Sequence, residues 1–335
     1  MKRLRAVKIG YLYTAAVSMT LLSAVLGVLL GATRLNALDA FFAMLNGDAA
    51  NTDLRILLYV RLPRILAGLV CGMALAVSGA VIQGVLANRL ASPSIIGVNS
   101  GAGLAVTLSS ACGLLGGWQV SLAAFLGAFL TVMLVSIGAK RWGASGGTVI
   151  LMGVAINALL GAVSDTVITL VPTVSMSQSD FRVGDFSAVT YRGLIPAAVL
   201  TLLALLVLMT LAGDLDALRL GDEAAQALGM RTGRTRMILL LLSALLAGAA
   251  VSVCGLLSFV GLLVPHAVRR VGVSEARHLL PLCALFGGGF VSLCDTLART
   301  VFAPYELPVG IIMAFLGAPF VIASLIRRTG GALHD

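Results

Sequence analysis

Residues 64–84 read Arg64-Ile-Leu-Ala-Gly-Leu-Val-Cys-Gly-Met-Ala-Leu-Ala-Val-Ser-Gly-Ala-Val-Ile-Gln-Gly84. Past Arg64 no residue in the stretch carries a charge, and the polar side chains are Ser78 and Gln83. A hydrocarbon core about 30 Å thick takes roughly 20 apolar residues per helix, so this segment has the length and composition of a membrane span. It lacks the alternation of apolar and polar residues that a barrel strand would show.

Nine further stretches of the same kind lie on either side. Together the apolar runs cover residues 9–31, 64–84, 94–112, 119–139, 147–171, 193–212, 236–254, 255–269, 279–298 and 308–326. The seventh and eighth form one long run interrupted by Gly255. The expectation is an all-α, polytopic membrane protein of about ten transmembrane helices, with residues 1–335 as a single transmembrane domain. Composition agrees, with 59% hydrophobic and 11% charged residues against about 25% charged in soluble domains. The mean hydropathy is +1.05. The first run, about 23 apolar residues after Lys2–Lys8, is longer than a signal peptide's 7–15-residue core and is expected to be a retained helix.

The net charge of +9 follows the spans. With residue 1 in the cytoplasm, 16 of the 23 Lys and Arg residues fall on inner segments and seven on outer ones (Arg34, Arg55, Arg61, Arg64, Arg182, Arg192 and Arg299). That is the positive-inside bias of an inner-membrane protein with both termini cytoplasmic. No basic face of the kind that binds nucleic acid is present. The five cysteines, Cys71, Cys112, Cys254, Cys283 and Cys294, lie in or at the ends of apolar runs without a C-x-x-C pair, and read as small buried hydrophobes. His266, His278 and His334 form no cluster, so no metal site is expected.

Gly72-Met-Ala-Leu-Ala-Val-Ser-Gly79 and Gly248-Ala-Ala-Val-Ser-Val-Cys-Gly255 match at Gly, Ala, Val and Gly with an offset of 176 residues. The two copies lie five spans apart and cross in opposite directions. This is a weak inverted repeat, a common plan in transporters. Gly68-x-x-x-Gly72 and Gly97-x-x-x-Gly101 allow close helix approach.

Three polar segments bear on function. The inner segment 213–235 contains Leu220-Gly-Asp-Glu-Ala-Ala-Gln-Ala-Leu-Gly229, in which Asp222 can cap a short helix and Gly229 can end it. A capped helix between the two halves has no lipid role and suits a docking element for a soluble partner. Arg61-Leu-Pro-Arg64 and Arg299 sit on the outer side against the charge rule, where they can meet carboxylates of a protein partner or lipid phosphates. Gln83 lies deep in a span ahead of the inner turn Asn88–Pro93. Asp165 and Asp295 are the carboxylates within spans, and such groups are functional candidates by default. No G-x-x-x-x-G-K-[ST] occurs, so any ATP used is bound by another chain.

At these residues the chain resembles the permeases of iron–siderophore, haem and cobalamin ABC importers. The resemblance runs through Arg61-Leu-Pro-Arg64, Ser78-Gly79 to Gln83, Asn88-x-Leu-Ala-x-Pro93 with Gly97, and Leu220-Gly-Asp222…Ala225…Leu228-Gly229. It continues with Phe259 to Arg269 and closes with Asp295…Arg299…Glu306-Leu-Pro-Val-Gly310 and Gly317-Ala-Pro-Phe320. It implies ten spans per subunit and a second permease copy, most simply as a homodimer, with the translocation path at the dimer interface. It further implies two cytoplasmic ATPase subunits holding ATP and Mg, an extracytoplasmic substrate-binding protein, and no cofactor on this chain.

By the same resemblance, Leu220, Gly221, Asp222, Glu223, Ala225, Leu228 and Gly229, within segment 218–231, couple to the ATPase. Arg61, Arg64 and Arg299 dock the binding protein. Asn88, Leu90 and Ser145 form the cytoplasmic gate, and Gln83, Ser164 and Asp165 line the path. Asn88-Arg89-Leu90 departs from the family's Asn-Pro-Leu, which implies a less rigid gate turn. Phe181–Phe186 replaces a stretch richer in Trp and Gly-Ser. Iron–siderophore complexes are the first expectation for the ligand, with haem and cobalamin beside them. The rival reading is a secondary transporter coupled to protons through Asp165 or Asp295. A membrane enzyme ranks last, because no paired catalytic groups appear.

Overall fold

The computed structural model describes residues 2–33, 36–48, 50–114, 117–141 and 146–329. The helices in order are α1 (Lys2–Leu29), α2 (Ala37–Leu45), α3 (Thr52–Ile56), α4 (Leu62–Val85), α5 (Val98–Ala111), α6 (Trp118–Arg141), α7 (Gly146–Leu170) and α8 (Ser175–Val183). They continue with α9 (Tyr191–Thr210), α10 (Ala212–Leu218), α11 (Asp222–Ala227), α12 (Thr232–Cys254), α13 (Val260–Arg270), α14 (Ala276–Thr300) and α15 (Val309–Thr329). Among the described residues there is no strand.

Seven helical segments are long and apolar enough to cross a membrane: Lys8–Leu29, Thr52–Val85, Trp118–Arg141, Gly146–Leu170, Tyr191–Thr210, Thr232–Cys254 and Ala276–Thr300. Two of the other three apolar runs of the sequence take a different form. Residues 94–112 begin in a turn that ends at Gly97 with φ +98° and leave a helix of 14 residues, about 21 Å at 1.5 Å per residue. Residues 255–269 start in non-helical backbone, with Gly255 and Phe259 at positive φ, and yield an 11-residue helix. Residues 308–326 lie almost wholly within α15, helical throughout Val309–Thr329. Hydropathy reads side chains, and the breaks at Gly97, Gly255 and Phe259 are made by the backbone.

The second span starts earlier than its apolar run, through α3 and a π-helical turn at Leu57–Arg61. Pro63 lacks an N–H, so the carbonyl five residues back, that of Leu58, has no helical donor there. The Tyr191 hydroxyl donates to it at 2.8 Å. The wider π turn re-aims the side chains ahead of it and carries Arg61 inward, where it is buried.

The core is a back-to-back stack of α4 against α14, α12 and α13, with α1 outside α14. Glycine permits it. A Cβ on Gly72 would lie 2.2 Å from the Gly287 carbonyl oxygen, and one on Gly79 would lie 1.9 Å from that of Gly261. The helices that carry the two repeat segments, α4 and α12, pack against each other. Cys71 Sγ points at the Ala250 carbonyl (3.7 Å) and Ser78 Oγ donates to the Ser243 carbonyl (2.7 Å). Seven residues forward on α4 thus match seven backward on α12, so the two helices run antiparallel.

All five cysteines are free, and Cys112, expected to be buried, is exposed at the end of α5. His266 packs edge-on against Phe320 with ring centroids 5.5 Å apart, a helix-to-helix contact.

Candidate functional site

Two polar ends of the bundle hold the residues singled out by sequence. At the end where α4 begins, Arg61, Arg64 and Arg299 are all buried, at 2%, 4% and 3% exposure. Isolated charges at such depth would be costly, and each finds partners. Arg61 donates to the carbonyls of Val28 and Thr33, the latter at 2.6 Å. Arg64 Nε donates to Asp295 Oδ1 at 2.9 Å and Nη1 to Glu306 Oε2 at 2.6 Å. Its Nη2 lies 3.7 Å from Asp185. Arg299 Nε stands 3.1 Å from the other oxygen of Asp295.

Asp295 is therefore the bridge between the two arginines, one turn before Arg299 on α14. The expectation of three arginines open to a partner meets a geometry in which each is turned into its own chain. The carboxylates nearest solvent in this cluster are Glu306 and Asp185, with side chains 37% and 29% exposed. Asp165 is the opposite case, exposed on α7 and 3.3 Å from the equally open Arg182. Ser164 beside it is buried.

At the other end, α10 and α11 lie between α9 and α12. Gly221 with φ +103° precedes α11 and Gly229 with φ +81° follows it. The expected Asp222 cap is not made. Gly221 occupies the N-cap position without a side-chain bond, and Asp222 opens the helix with its carboxylate 2.5 Å from Arg236 Nη2. Arg236 is buried, so its guanidinium draws the carboxylate inward.

Ala225 is buried as the anchor of α11, while Leu220 and Leu228 are each 70% exposed. Glu223 suits the positive N-terminal end of the helix. Cavities of about 600 and 470 Å³ flank the segment.

The turn 88–97 lies at this same end. Asn88 Oδ1 accepts from the Leu90 N–H at 2.9 Å, an Asx-type turn, and Leu90 is exposed. Ser145, with the neighbouring Gly143, lies outside the described residues, as do Arg34 and His334. Gln83 sits at the inner edge of the cavity of about 600 Å³. It is buried, its Nε2 donates to the Gly261 carbonyl at 3.0 Å, and its Oε1 accepts from Arg269. It ties α4 to both ends of α13.

Three residues that sequence reasoning left without a role hold this end together. Asn157 on α7 donates to the carbonyls of Ser94 (3.0 Å) and Ile95 (3.2 Å) and accepts from Ser100. Asp216 on α10 receives the Ala276 N–H on both oxygens, at 3.1 and 2.9 Å, and so closes the N-terminus of α14. Arg219 joins the latch through Asp216 at 3.1 Å and through the Ser274 carbonyl. A lone amide inside an apolar run was the available signal for Asn157. Asp216 gave none, because its partner is 60 residues away.

The model of the FecCD transport family matches residues 19–327. The hemin transport system permease protein HmuU of Yersinia pestis is 38% identical over 308 residues, covering 89% of this chain and 92% of its own. The vitamin B12 import system permease protein BtuC of Yersinia enterocolitica is 38% identical over 272 residues, covering 80% and 81%. Among solved structures, one described as an inward-facing conformation of a metal-chelate type ABC transporter superposes with a TM-score of 0.82 at 27% identity, over 95% of this chain and 99% of that one.

Proposed function

The chain belongs to the FecCD transport family, and from that premise we propose that it forms the translocation path of an ATP-driven importer for an iron–siderophore complex. It is an ABC importer permease and not itself an enzyme, since ATP hydrolysis in such importers belongs to a separate subunit. Its membrane is the inner one, both termini are cytoplasmic, and ten passages cross it once α5, α13 and α15 are counted with the seven long spans. The positive-inside distribution supports the orientation. Haem and cobalamin, which the named relatives import, are the neighbouring ligand choices.

The observation that carries the mechanism is the segment from Leu220 to Gly229. Two leucines, each 70% exposed, flank a short helix that Gly221 and Gly229, both at positive φ, set off from its neighbours. Exposed apolar side chains beside cavities fit a protein partner. In the proposal the ATPase subunits, with ATP and Mg, seat on this segment, and a second copy of the permease covers α7 and α15. The latch from Asp216 to the N-terminus of α14 then passes their movement to a helix that reaches the other end.

There, docking of a binding protein rests on the rim that Arg61, Arg64 and Arg299 brace. Asn88 and Leu90, with Ser145, form the inner gate, and Ser164 and Asp165 on α7 face the path.

The proton-coupled alternative has little geometric support. Asp295 is clamped by two arginines and Asp165 is paired in the open.

The test is co-purification with the ATPase partner after changing Leu220 and Leu228 together to Glu. Both side chains are exposed, so the fold is expected to survive while ATPase association and uptake are lost. Uptake that persists in the double variant, or that survives ATP depletion and collapses with an uncoupler, sinks the proposal.

A further inference from the structure

An apolar groove of about 260 Å³ lies on the outer flank of the bundle, between α1, α13 and α14. Leu12 and Met19 form one wall, Leu263 and Val271 the floor, and Phe286 and Phe290 the other wall. Ala267, exposed at the centre, leaves it open. From Leu263 to Val271 the groove runs about 12 Å along α13, at 1.5 Å per residue. That is less than one leaflet, roughly 15 Å of a 30 Å core. A crossing helix from a second copy would need a groove through the full thickness. A single acyl chain needs only this length.

The mouth of the groove is charged. The Tyr13 hydroxyl lies 3.4 Å from His278 Nδ1, which sets the first turns of α1 beside the first turn of α14. Lys8, one turn before Leu12, and Arg277, next to His278, are therefore at the same end, and both are exposed. Arg270, just before Val271, is exposed there as well. Glu275 is the one carboxylate in the connecting loop. Arg269 is turned away to Gln83. Asp216, on the Ala276 N–H, is paired with Arg219 at 3.1 Å, so Lys8, Arg270 and Arg277 against Glu275 leave the rim of the apolar groove net positive, which matches a negative headgroup on an apolar tail.

We propose that this groove is a binding site for one anionic phospholipid of the leaflet on the α1 N-terminal side, with its acyl chain against Ala267 and its phosphate among Lys8, Arg270 and Arg277. The groove uses none of the residues assigned to transport, although its rim borders the N-terminus of α14 that Asp216 closes. It needs only that the chain sits in a membrane.

Native mass spectrometry of the full chain in mild detergent tests this, with phosphatidylglycerol and phosphatidylcholine of identical acyl chains as the probes. The wild type is expected to retain phosphatidylglycerol in preference. Ala267→Trp fills the groove and is expected to lose both lipids. Arg270→Gln with Arg277→Gln keeps the groove, and the preference is expected to fall about 25-fold, taking each cation as a factor of about five. Full retention of phosphatidylglycerol by Ala267→Trp overturns the proposal, as does an unchanged preference in the double variant. A dimer that dissociates on Ala267→Trp with its lipid content unchanged would make the groove a contact between copies instead.

Discussion

Replacing Asp295 by Asn keeps the side-chain volume and removes one charge from beneath two buried arginines. Removing one partner of a buried ion pair costs about 3–5 kcal/mol, because the other charge stays buried without compensation. Here the loss is uneven. Arg64 keeps Glu306 at 2.6 Å, whereas Arg299 is left with the Gly27 carbonyl at 3.3 Å. The low end, about 3 kcal/mol, is therefore expected. At roughly 2 °C per kcal/mol for a chain of this size, the apparent unfolding midpoint in detergent should fall by about 6 °C.

Asp165→Asn is the internal control. Its pair with Arg182 has side chains 70% and 54% exposed, and such pairs contribute about 0–1 kcal/mol. Both variants are to be scanned at one heating rate, since unfolding from detergent is governed by kinetics. Equal midpoints for the two variants would refute the buried-clamp reading. So would full stability of Asp295→Asn combined with loss of uptake, which would return that carboxylate to proton coupling.

Three further outcomes are expected. Gly79→Ala places a methyl group 1.9 Å from the Gly261 carbonyl oxygen, so α4 and α13 must separate; a cost of about 1–3 kcal/mol should appear as poor yield of folded protein, while Gly233→Ala, with open space around it, should express normally. Asp216→Ala removes the closure of α14 and should cost about 1 kcal/mol, with ATPase activity of the assembled importer falling less than uptake does. Asn157→Leu leaves the Ser94 and Ile95 carbonyls without their donor, at about 1–3 kcal/mol, and hydrogen exchange across residues 88–97 should speed up while α12 stays protected.

The class of fold was legible because hydropathy and span length are properties of side chains in sequence. The segments Gly72–Gly79 and Gly248–Gly255, matched at four positions, fall on α4 and at the end of α12, two helices that pack against each other. The lengths of α5 and α13 were not legible, since Leu and Val continue through Gly97 and Gly255 while the backbone does not. The arginines were found by their position on the wrong side of the charge rule. Their burial was hidden, because Asp295 and Glu306 lie 231 and 242 residues from Arg64. The short helix between Gly221 and Gly229 was read in outline, and the inward turn of Asp222 depended on Arg236, 14 residues further on.

The glycine contacts between α4 and α14 bear on how such a chain can move. Gly72 and Gly287 bring backbone within reach of backbone, and no rotamer change can absorb a shift where there are no rotamers. Sliding one helix past the other would drive a Cα into a carbonyl within a fraction of a turn. These two helices must travel as one beam. Any change of shape that opens the protein first to one side and then to the other has to be carried by the loosely covered helices around them.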